Sequence, residues 1–448
     1  MDPPRDTIAA LATPPGRAAV AVVRLSGPDA TAIAERVIGR RPRPRRAELC
    51  RFAAADGTPI DRGLVIAFPA PASYTGEDVV ELHCHGGAVV TDWLLETLHA
   101  LGARPAQPGE FTLRAFLNDK LDLAQAEAVA DLIESGSRAA ARAALRSLDG
   151  RFSAAVDGIQ AELTAVRMHV EACLDFPEEE LATEAAEALE QRLGALLERL
   201  DGLRAQAAQG RVLRDGLCAV LAGPPNAGKS SLMNRLAGYE AAIVTHVPGT
   251  TRDPLREQLS LEGLPVTLVD TAGLREAHDL VEAEGVKRAR RELERADLVL
   301  WVTDVREGAE CAAHAARASL GDDPRITLVL NKADLVAEPA ALLDHDGRPA
   351  IRLSALTGDG LELLVRHLQA VAGWSGDAAG TFSARRRHLD ALERAAAHLR
   401  VAAEELARAP ELGAEELRAA QTALSEVTGA YTSDDLLGEI FSRFCIGK

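Results

Sequence analysis

Gly223-Pro-Pro-Asn-Ala-Gly-Lys-Ser230 follows the apolar run Leu217-Cys-Ala-Val-Leu-Ala222. Its spacing, G-x-x-x-x-G-K-[ST], is that of a loop that holds phosphate at the start of a helix. The run before it predicts a strand that delivers the chain into the loop, and Gly223 and Gly228 permit close backbone approach. The loop N–H groups and the start of the helix from Lys229 then face an anion. Lys229 supplies a cation for the β- and γ-phosphates, and the Ser230 hydroxyl is a ligand for Mg²⁺.

Three further signatures follow in order: Asp270-Thr271-Ala272-Gly273, Asn331-Lys332-Ala333-Asp334 and Ser354-Ala355-Leu356. Val266-Thr-Leu-Val-Asp270 reads as a strand that leaves Asp270 at its end, placed to hold the metal through water. Gly273 can offer its N–H to the γ-phosphate. Asp334 can accept two hydrogen bonds from the ring and exocyclic N–H groups of guanine. Adenine presents a different edge and leaves that carboxylate badly paired, so the discrimination is large. Each signature alone is an ordinary turn composition; in this order, each after an expected strand, they predict a GTPase. Leu274 stands where many small GTPases carry a water-orienting glutamine, so another polar group must do that work. Glu276, Asp279, Glu282 and Glu284 are the downstream candidates.

The 448 residues suggest two or three domains. Hydrophobic residues make up 47% but aromatic ones only 3%, which favours closely packed helices over a large β-architecture. A formal charge of -17 argues against a simple basic clamp for nucleic acid. Local basic clusters lie at Arg40-Arg-Pro-Arg-Pro-Arg-Arg46 and Arg385-Arg-Arg387; the first, with its prolines, reads as a solvated loop. Six scattered cysteines share no metal spacing and read as reduced thiols. The start lacks a secretory pattern, and no apolar run approaches the roughly 18 residues that span a bilayer. A cytoplasmic location without membrane attachment is expected.

The first 118 residues read as mixed α and β. Strands are expected at Ala18–Leu25, Gly63–Phe68 and Asp78–His85, then a helix with Trp93, Leu94, Leu98 and Leu101 along one side. From Asp119 to about Gln209 the pattern is helical, with Leu189, Leu193, Leu196, Leu200 and Leu203 as a buried stripe. The nucleotide module fills about 215–373; a small-residue linker, Gly373 to Ser383, precedes another helical tract from Arg386 to about Leu437. The module thus reads as an insertion between two helical halves. His83 and His85 share a strand face near Cys84 and Glu81, but the spacing fits no standard zinc site. Arg24 and Glu81 on strands, with Lys120 at a helix start, could clamp a polar ligand. The end, Cys445-Ile-Gly-Lys448, does not fit a prenylation signal.

Thr13-Pro-Pro-Gly-Arg17, Ser73-Tyr-Thr-Gly-Glu-Asp78, Pro108-Gly-Glu-Phe111, Phe116-Leu-Asn-Asp-Lys-Leu-Asp-Leu-Ala-Gln-Ala-Glu127, the inserted GTPase and the terminal Cys445-Ile-Gly-Lys448 together resemble the MnmE (TrmE) family of tRNA-modification GTPases. The resemblance covers essentially the whole chain. It implies a multidomain α/β protein: a mixed α+β N-terminal folate-binding and dimerisation domain at 1–118 and a central α-helical domain in two halves, 119–214 and 376–448. A P-loop GTPase domain with a mostly parallel sheet, 215–375, is inserted between them.

The resemblance also implies the site. Nucleotide contacts fall on Asn226, Ala227, Gly228, Lys229, Ser230 and Ser231; on Thr245, His246, Val247, Pro248, Gly249, Thr250 and Thr251; and on Asp270, Thr271, Ala272, Gly273, Asn331, Lys332, Asp334, Ser354, Ala355 and Leu356. Asn226 with Thr245, Val247 and Thr250 would hold K⁺, and Ser230 with Thr251 would hold Mg²⁺. Glu282 falls on the family's catalytic glutamate, and Cys445 is a candidate participant in the modification chemistry. Arg24, Glu81, Lys120 and Lys448 would contact a reduced one-carbon folate, 5-formyl- or 5,10-methylene-tetrahydrofolate. A homodimer is implied, joined in a heterotetramer by the FAD-binding protein MnmG (GidA). Together they would add an aminomethyl or carboxymethylaminomethyl group to C5 of the wobble uridine of certain tRNAs. A fixed K⁺ also stands on physical ground, because it can neutralise charge where an arginine otherwise gives roughly 10³–10⁵ in rate. The alternatives are a regulatory GTPase of the ribosome-assembly type and a stand-alone folate-dependent transferase.

Overall fold

The computed structural model describes residues 6–175, 183–239, 256–270, 292–294, 296–376, 380–406, 408–429, 434–442 and 444–447, with side chains left out at 175, 183–187, 434–436 and 439. The chain divides into two compact units. One comprises 1–130, 148–190 and 397–448; the other comprises 131–147 and 191–396.

The first unit is built on β1 (Ile8–Leu11), β2 (Ala18–Ser26), β3 (Glu48–Ala53), β4 (Pro59–Phe68), β5 (Val79–Gly86) and β6 (Arg104–Pro105), in the order β3-β4-β5-β2-β1-β6. The pairings are antiparallel except β1 with β6. Alternation sends Val23, Leu25, Phe52, Val65, Val80 and Leu82 to one face, all with no exposed surface. There they meet α1 (Ala30–Ile38) and α2 (Ala88–Ala100), through Ile33, Val37, Leu94 and Leu98. Trp93 and Leu101, expected on the same stripe as Leu94 and Leu98, are only partly buried.

After α3 (Glu110–Leu117) the chain turns before α4 (Leu123–Glu134). Lys120, expected at a helix start, lies in this turn. Asp119 takes a left-handed φ of 53°, and the Lys120 N–H donates to Ala115 O at 2.8 Å, which closes α3 instead. The next helix starts on a reciprocal cap: Gln125 N donates to Asp122 Oδ1 at 2.8 Å, and Asp122 N to Gln125 Oε1 at 3.0 Å.

Next come α5 (Arg138–Leu148), α6 (Arg151–Asp175) and α7 (Thr183–Asp215). In the first unit α6 packs on the helix Pro410–Thr428, with Gln160 Nε2 donating to Ser425 Oγ at 2.8 Å. The expected leucine stripe of α7 is buried at Leu193, Leu196, Leu200 and Leu203, while Leu189 is partly exposed.

The second unit holds a seven-stranded sheet in the order β12-β13-β11-β10-β7-β9-β8. Its strands are β7 (Leu217–Ala222), β8 (Arg256–Leu261), β9 (Leu264–Asp270), β10 (Leu298–Asp304), β11 (Ile326–Asn331), β12 (Ala341–His345) and β13 (Arg348–Arg352). The five central strands run parallel; only the edge strands β12 and β8 are antiparallel. β10 and β11 are buried at every residue, as continuous apolar runs covered on both faces must be.

One expectation is corrected here. The stretch from Gly373 to Ser383, rich in small residues, was expected to be a linker, yet Thr381, Phe382, Ser383 and Ala384 are buried. Ser383 N donates to Ala143 O, and a Cβ on Gly210 of α7 would overlap Phe382 O. Small residues serve close packing here rather than flexibility. Asp131 fastens the end of this segment, accepting from Ser383 Oγ at 2.5 Å, Arg385 Nη2 at 2.8 Å and Arg214 Nε at 2.9 Å. Arg385, expected in a local basic cluster, is therefore a paired structural residue.

Candidate nucleotide site

The C-terminal ends of β7, β9, β10 and β11 meet at one edge of the parallel sheet, where α/β folds bind ligands. From β7 the chain enters the loop 223–230, and α8 (Lys229–Ala237) starts inside it. Gly223 and Gly228 have φ of 130° and 93°. A Cβ at Gly223 would collide with the Val302 carbonyl oxygen, and one at Gly228 with Asn331 Nδ2. Both positions thus require glycine for their backbone and for their neighbours.

Lys229 is 5% exposed, and its ammonium donates to Gly223 O at 3.0 Å and Pro224 O at 2.7 Å. The cation is curled over the loop that carries it. Ser230 Oγ lies 3.3 Å from Asp270 Oδ2 at the end of β9. A hydroxyl and a buried carboxylate side by side form a hard oxygen donor set of the kind Mg²⁺ takes.

Asn331 ties the site together. Its Nδ2 donates to Ala227 O at 2.9 Å, and its Oδ1 accepts from Ala355 N at 2.9 Å. One side chain therefore joins the phosphate loop to the turn after β13. On that turn Ser354 Oγ donates to Asp334 Oδ1 at 2.5 Å, which fixes the carboxylate expected to read guanine. Ala355 is buried and Leu356 is exposed. Sequence reasoning missed Asp304, whose carboxylate ends β10 and pairs with Lys332 at 3.0 Å. Its only sequence signal is a place at the end of an apolar run.

Thr245, His246, Val247, Pro248, Gly249, Thr250, Thr251, Thr271, Ala272, Gly273, Leu274, Glu276, Asp279, Glu282, Glu284 and Lys448 lie outside the described residues. Of the expected K⁺ ligands only Asn226 is described, in the left-handed region at φ 60°.

In the N-terminal unit, β2 and β5 pair with Arg24 opposite Glu81, and the guanidinium donates to Glu81 Oε1 at 2.9 and 3.1 Å. It also sits 5.5 Å from the Tyr74 ring centroid and 5.7 Å from that of Phe111. His83 bonds Glu81 at 3.3 Å and His85 bonds Asp61 at 2.8 Å, so each histidine has its own carboxylate. Burial, with Asp61 nearby, pushes the Cys84 thiol up to about 11. Among the described residues no group of three His, Cys, Asp or Glu side chains could hold a metal. The C-terminal tail docks in the same unit: Ile446 bridges to Pro108, and Gly447 packs against the Leu11 carbonyl, where a Cβ would not fit. Cys445 is exposed.

Behind this face Arg104 and Arg114 gather Asp6, Glu77 and Glu110. Burial raises the Glu110 carboxyl, but Arg104, the Gln107 amide and Arg114 outweigh it and hold the group below its ordinary value. Hydrogen bonds from Arg104 lower Asp6 likewise. A depressed carboxylate contributes stability that is present above its unfolded value and lost as pH falls through the folded one. Protection of the α3 amides from hydrogen exchange is therefore expected to fall as pH drops below about 4.5. Glu110→Gln should flatten that dependence.

A family model described as the MnmE helical domain matches residues 123–445, and one described as the GTP-binding protein TrmE N-terminus matches residues 7–120. The chain belongs to the MnmE (TrmE) family. It is 56% identical to the tRNA modification GTPase MnmE of Alkalilimnicola ehrlichii, over 99% of this chain and 100% of that protein. It is 54% identical to the protein of the same name from Nitrosococcus oceani, over 99% of this chain and 97% of that one. Among solved structures, the G domain of the T. maritima FeoB iron transporter aligns at 28% identity over 35% of this chain and 98% of its own. At a TM-score of 0.26 that likeness carries no argument. Among the described residues, no helix is long and apolar enough to cross a membrane.

Proposed function

We propose that this MnmE-family chain is a GTP hydrolase acting in tRNA modification. The observation that carries the nucleotide reading is the pair of hydrogen bonds of Asn331, donated to Ala227 O and accepted from Ala355 N, which links phosphate loop and base-reading turn. The activity on tRNA follows from relatives that share half or more of their residues with this chain. Lys229 neutralises charge between the β- and γ-phosphates. Ser230 and Thr251 would hold Mg²⁺, with Asp270 reaching it through water, and the ion would supply charge neutralisation at the transferring phosphoryl group. Glu282 orients the attacking water.

The finer reading is that K⁺ sits against Asn226, with Thr245, Val247 and Thr250. A fixed monovalent cation there would neutralise the charge that an arginine otherwise meets. A reduced one-carbon folate would be held by Arg24, Glu81, Lys120 and Lys448. The cluster of Arg24, Glu81 and Tyr74 supports this, because it sets two charges beside a partly exposed aromatic ring. The chain acts as a cytoplasmic homodimer with the FAD-binding MnmG, and the product is an aminomethyl or carboxymethylaminomethyl wobble uridine. Cys445 is a further candidate for that chemistry.

Two measurements test this. GTP turnover should be far faster in KCl than in NaCl, and Glu282→Ala should lower it by about 10²–10⁴. Mass spectrometry of tRNA nucleosides from cells lacking the protein should show loss of the modified uridine, restored by wild type but not by Glu282→Ala. An unchanged nucleoside profile on deletion would return the regulatory-switch reading to the front.

A further inference from the structure

Lys332 stands between β11 and the short turn Ala333–Leu335 that carries Asp334, with a left-handed φ of 66°. Side chains with a Cβ adopt that conformation rarely, so the surroundings must fix it. The ammonium is fixed as well. Lys332 Nζ lies 3.0 Å from Oδ2 of Asp304, the last residue of β10, which pairs in register with Asn331 just before Lys332.

Asp304 is itself clamped. Arg306 donates from Nε to Oδ1 at 2.9 Å and from Nη2 to Oδ2 at 2.7 Å, and its backbone N–H reaches Oδ1 at 3.1 Å. The Arg306 guanidinium holds the Asp304 carboxyl well below the usual carboxylate range, against its burial, and Lys332 adds to the effect. The Asp304 side chain is 12% exposed, against 33% for Lys332 and 61% for Arg306. This is a nearly buried anionic anchor. A lysine stem held at both ends, by the turn at Cα and by Asp304 at Nζ, loses most of the freedom that makes lysine a poor fixed surface.

We propose that Asp304 is a positioning residue for the nucleotide: by holding the Lys332 ammonium it keeps the four-carbon stem as an apolar shelf under one face of the guanine ring whose edge Asp334 reads. The inference rests on the guanine reading of the preceding section. A shelf supports ground state and transition state alike, so its loss raises KM and leaves kcat in place.

The test uses the full chain. Asp304→Asn keeps the shape and removes the charge. KM for GTP should rise roughly ten- to a hundredfold, with kcat within about twofold and mant-GDP dissociating faster by the factor that KM rises. The penalty should be equal for GTP and inosine triphosphate, because the shelf touches the ring face and not the exocyclic amine. In a Lys332→Met background, which retains an apolar stem, adding Asp304→Asn should change KM by less than about twofold. A lower melting temperature with an unchanged KM would make Asp304 a purely structural ion-pair residue and overturn the inference. So would a full Asp304→Asn effect persisting beside Lys332→Met. A wild type that binds ATP as tightly as GTP would remove the guanine reading and this inference together. A guanine-selective wild type indifferent to Asp304→Asn removes this inference alone.

Discussion

Asp334→Asn is expected to weaken GTP binding by about 10²–10⁴ and to create affinity for xanthosine triphosphate. The carboxylate can accept from both the ring N–H and the exocyclic amine of guanine. Hydrogen bonds to a charged group are worth roughly 1.5–3 kcal/mol each, and losing the fit of both gives that range. Asparagine keeps one acceptor for the ring N–H and turns a donor toward the second position. Guanine presents an amine there and is rejected; xanthine presents a carbonyl and is accepted. The substitution leaves the turn standing, because asparagine Oδ1 can still accept from Ser354 Oγ, which bonds Asp334 at 2.5 Å. Calorimetric titration with the two triphosphates decides the matter. A GTP affinity altered less than threefold would remove Asp334 from base recognition.

Arg114→Met is expected to destabilise the N-terminal unit by about 3–5 kcal/mol, the usual cost of removing one partner from a buried charge network. Arg114 has no exposed surface. Its guanidinium donates to Asp6 O and Asp6 Oδ1 at 2.7 Å, to Glu110 Oε1 at 2.9 Å and to Glu77 at 3.1 and 3.2 Å. Methionine fills much of the volume but strands Glu77, 15% exposed, and leaves Glu110, 6% exposed, with Arg104 as its one remaining cation. Adding Glu77→Gln should recover part of the loss, because a neutral side chain there removes the unpaired charge. Amide exchange of α3 and β5 in the full chain measures both effects. Unchanged protection in Arg114→Met would mean that the acids find water and that the network is not a stability element.

The elements that sequence reading recovered share one property: their signal is local. Strand β2 was expected at Ala18–Leu25 and spans Ala18–Ser26, because the valine-rich apolar run that marks it and the Ser-Gly-Pro that ends it are contiguous. The phosphate loop was equally legible, since its donors are consecutive backbone N–H groups and its glycines are required by φ values of 130° and 93°. Lys120 was misplaced because a left-handed Asp119 ended one helix and a cap at Asp122 began the next, so two local signals met within four residues. The segment before Ser383 was misread because small residues serve flexible linkers and tight packing alike. Only the proximity of α5 and α7 separates the two uses.

The sequence by itself determined that this chain binds phosphate, which base it reads and which family it belongs to, because those properties reside in contiguous side chains and backbone. Tertiary structure decided which distant groups make that chemistry work. Asn331 reaches Ala227 across 104 positions, and Arg24 finds Glu81 across 57. Asp304 holds Lys332 across 28, and Arg114 gathers Asp6 across 108. No periodicity or spacing encodes such pairs. They exist because burying strands side by side brings strand ends into register, and a charge brought there must meet an opposite one or leave the protein interior.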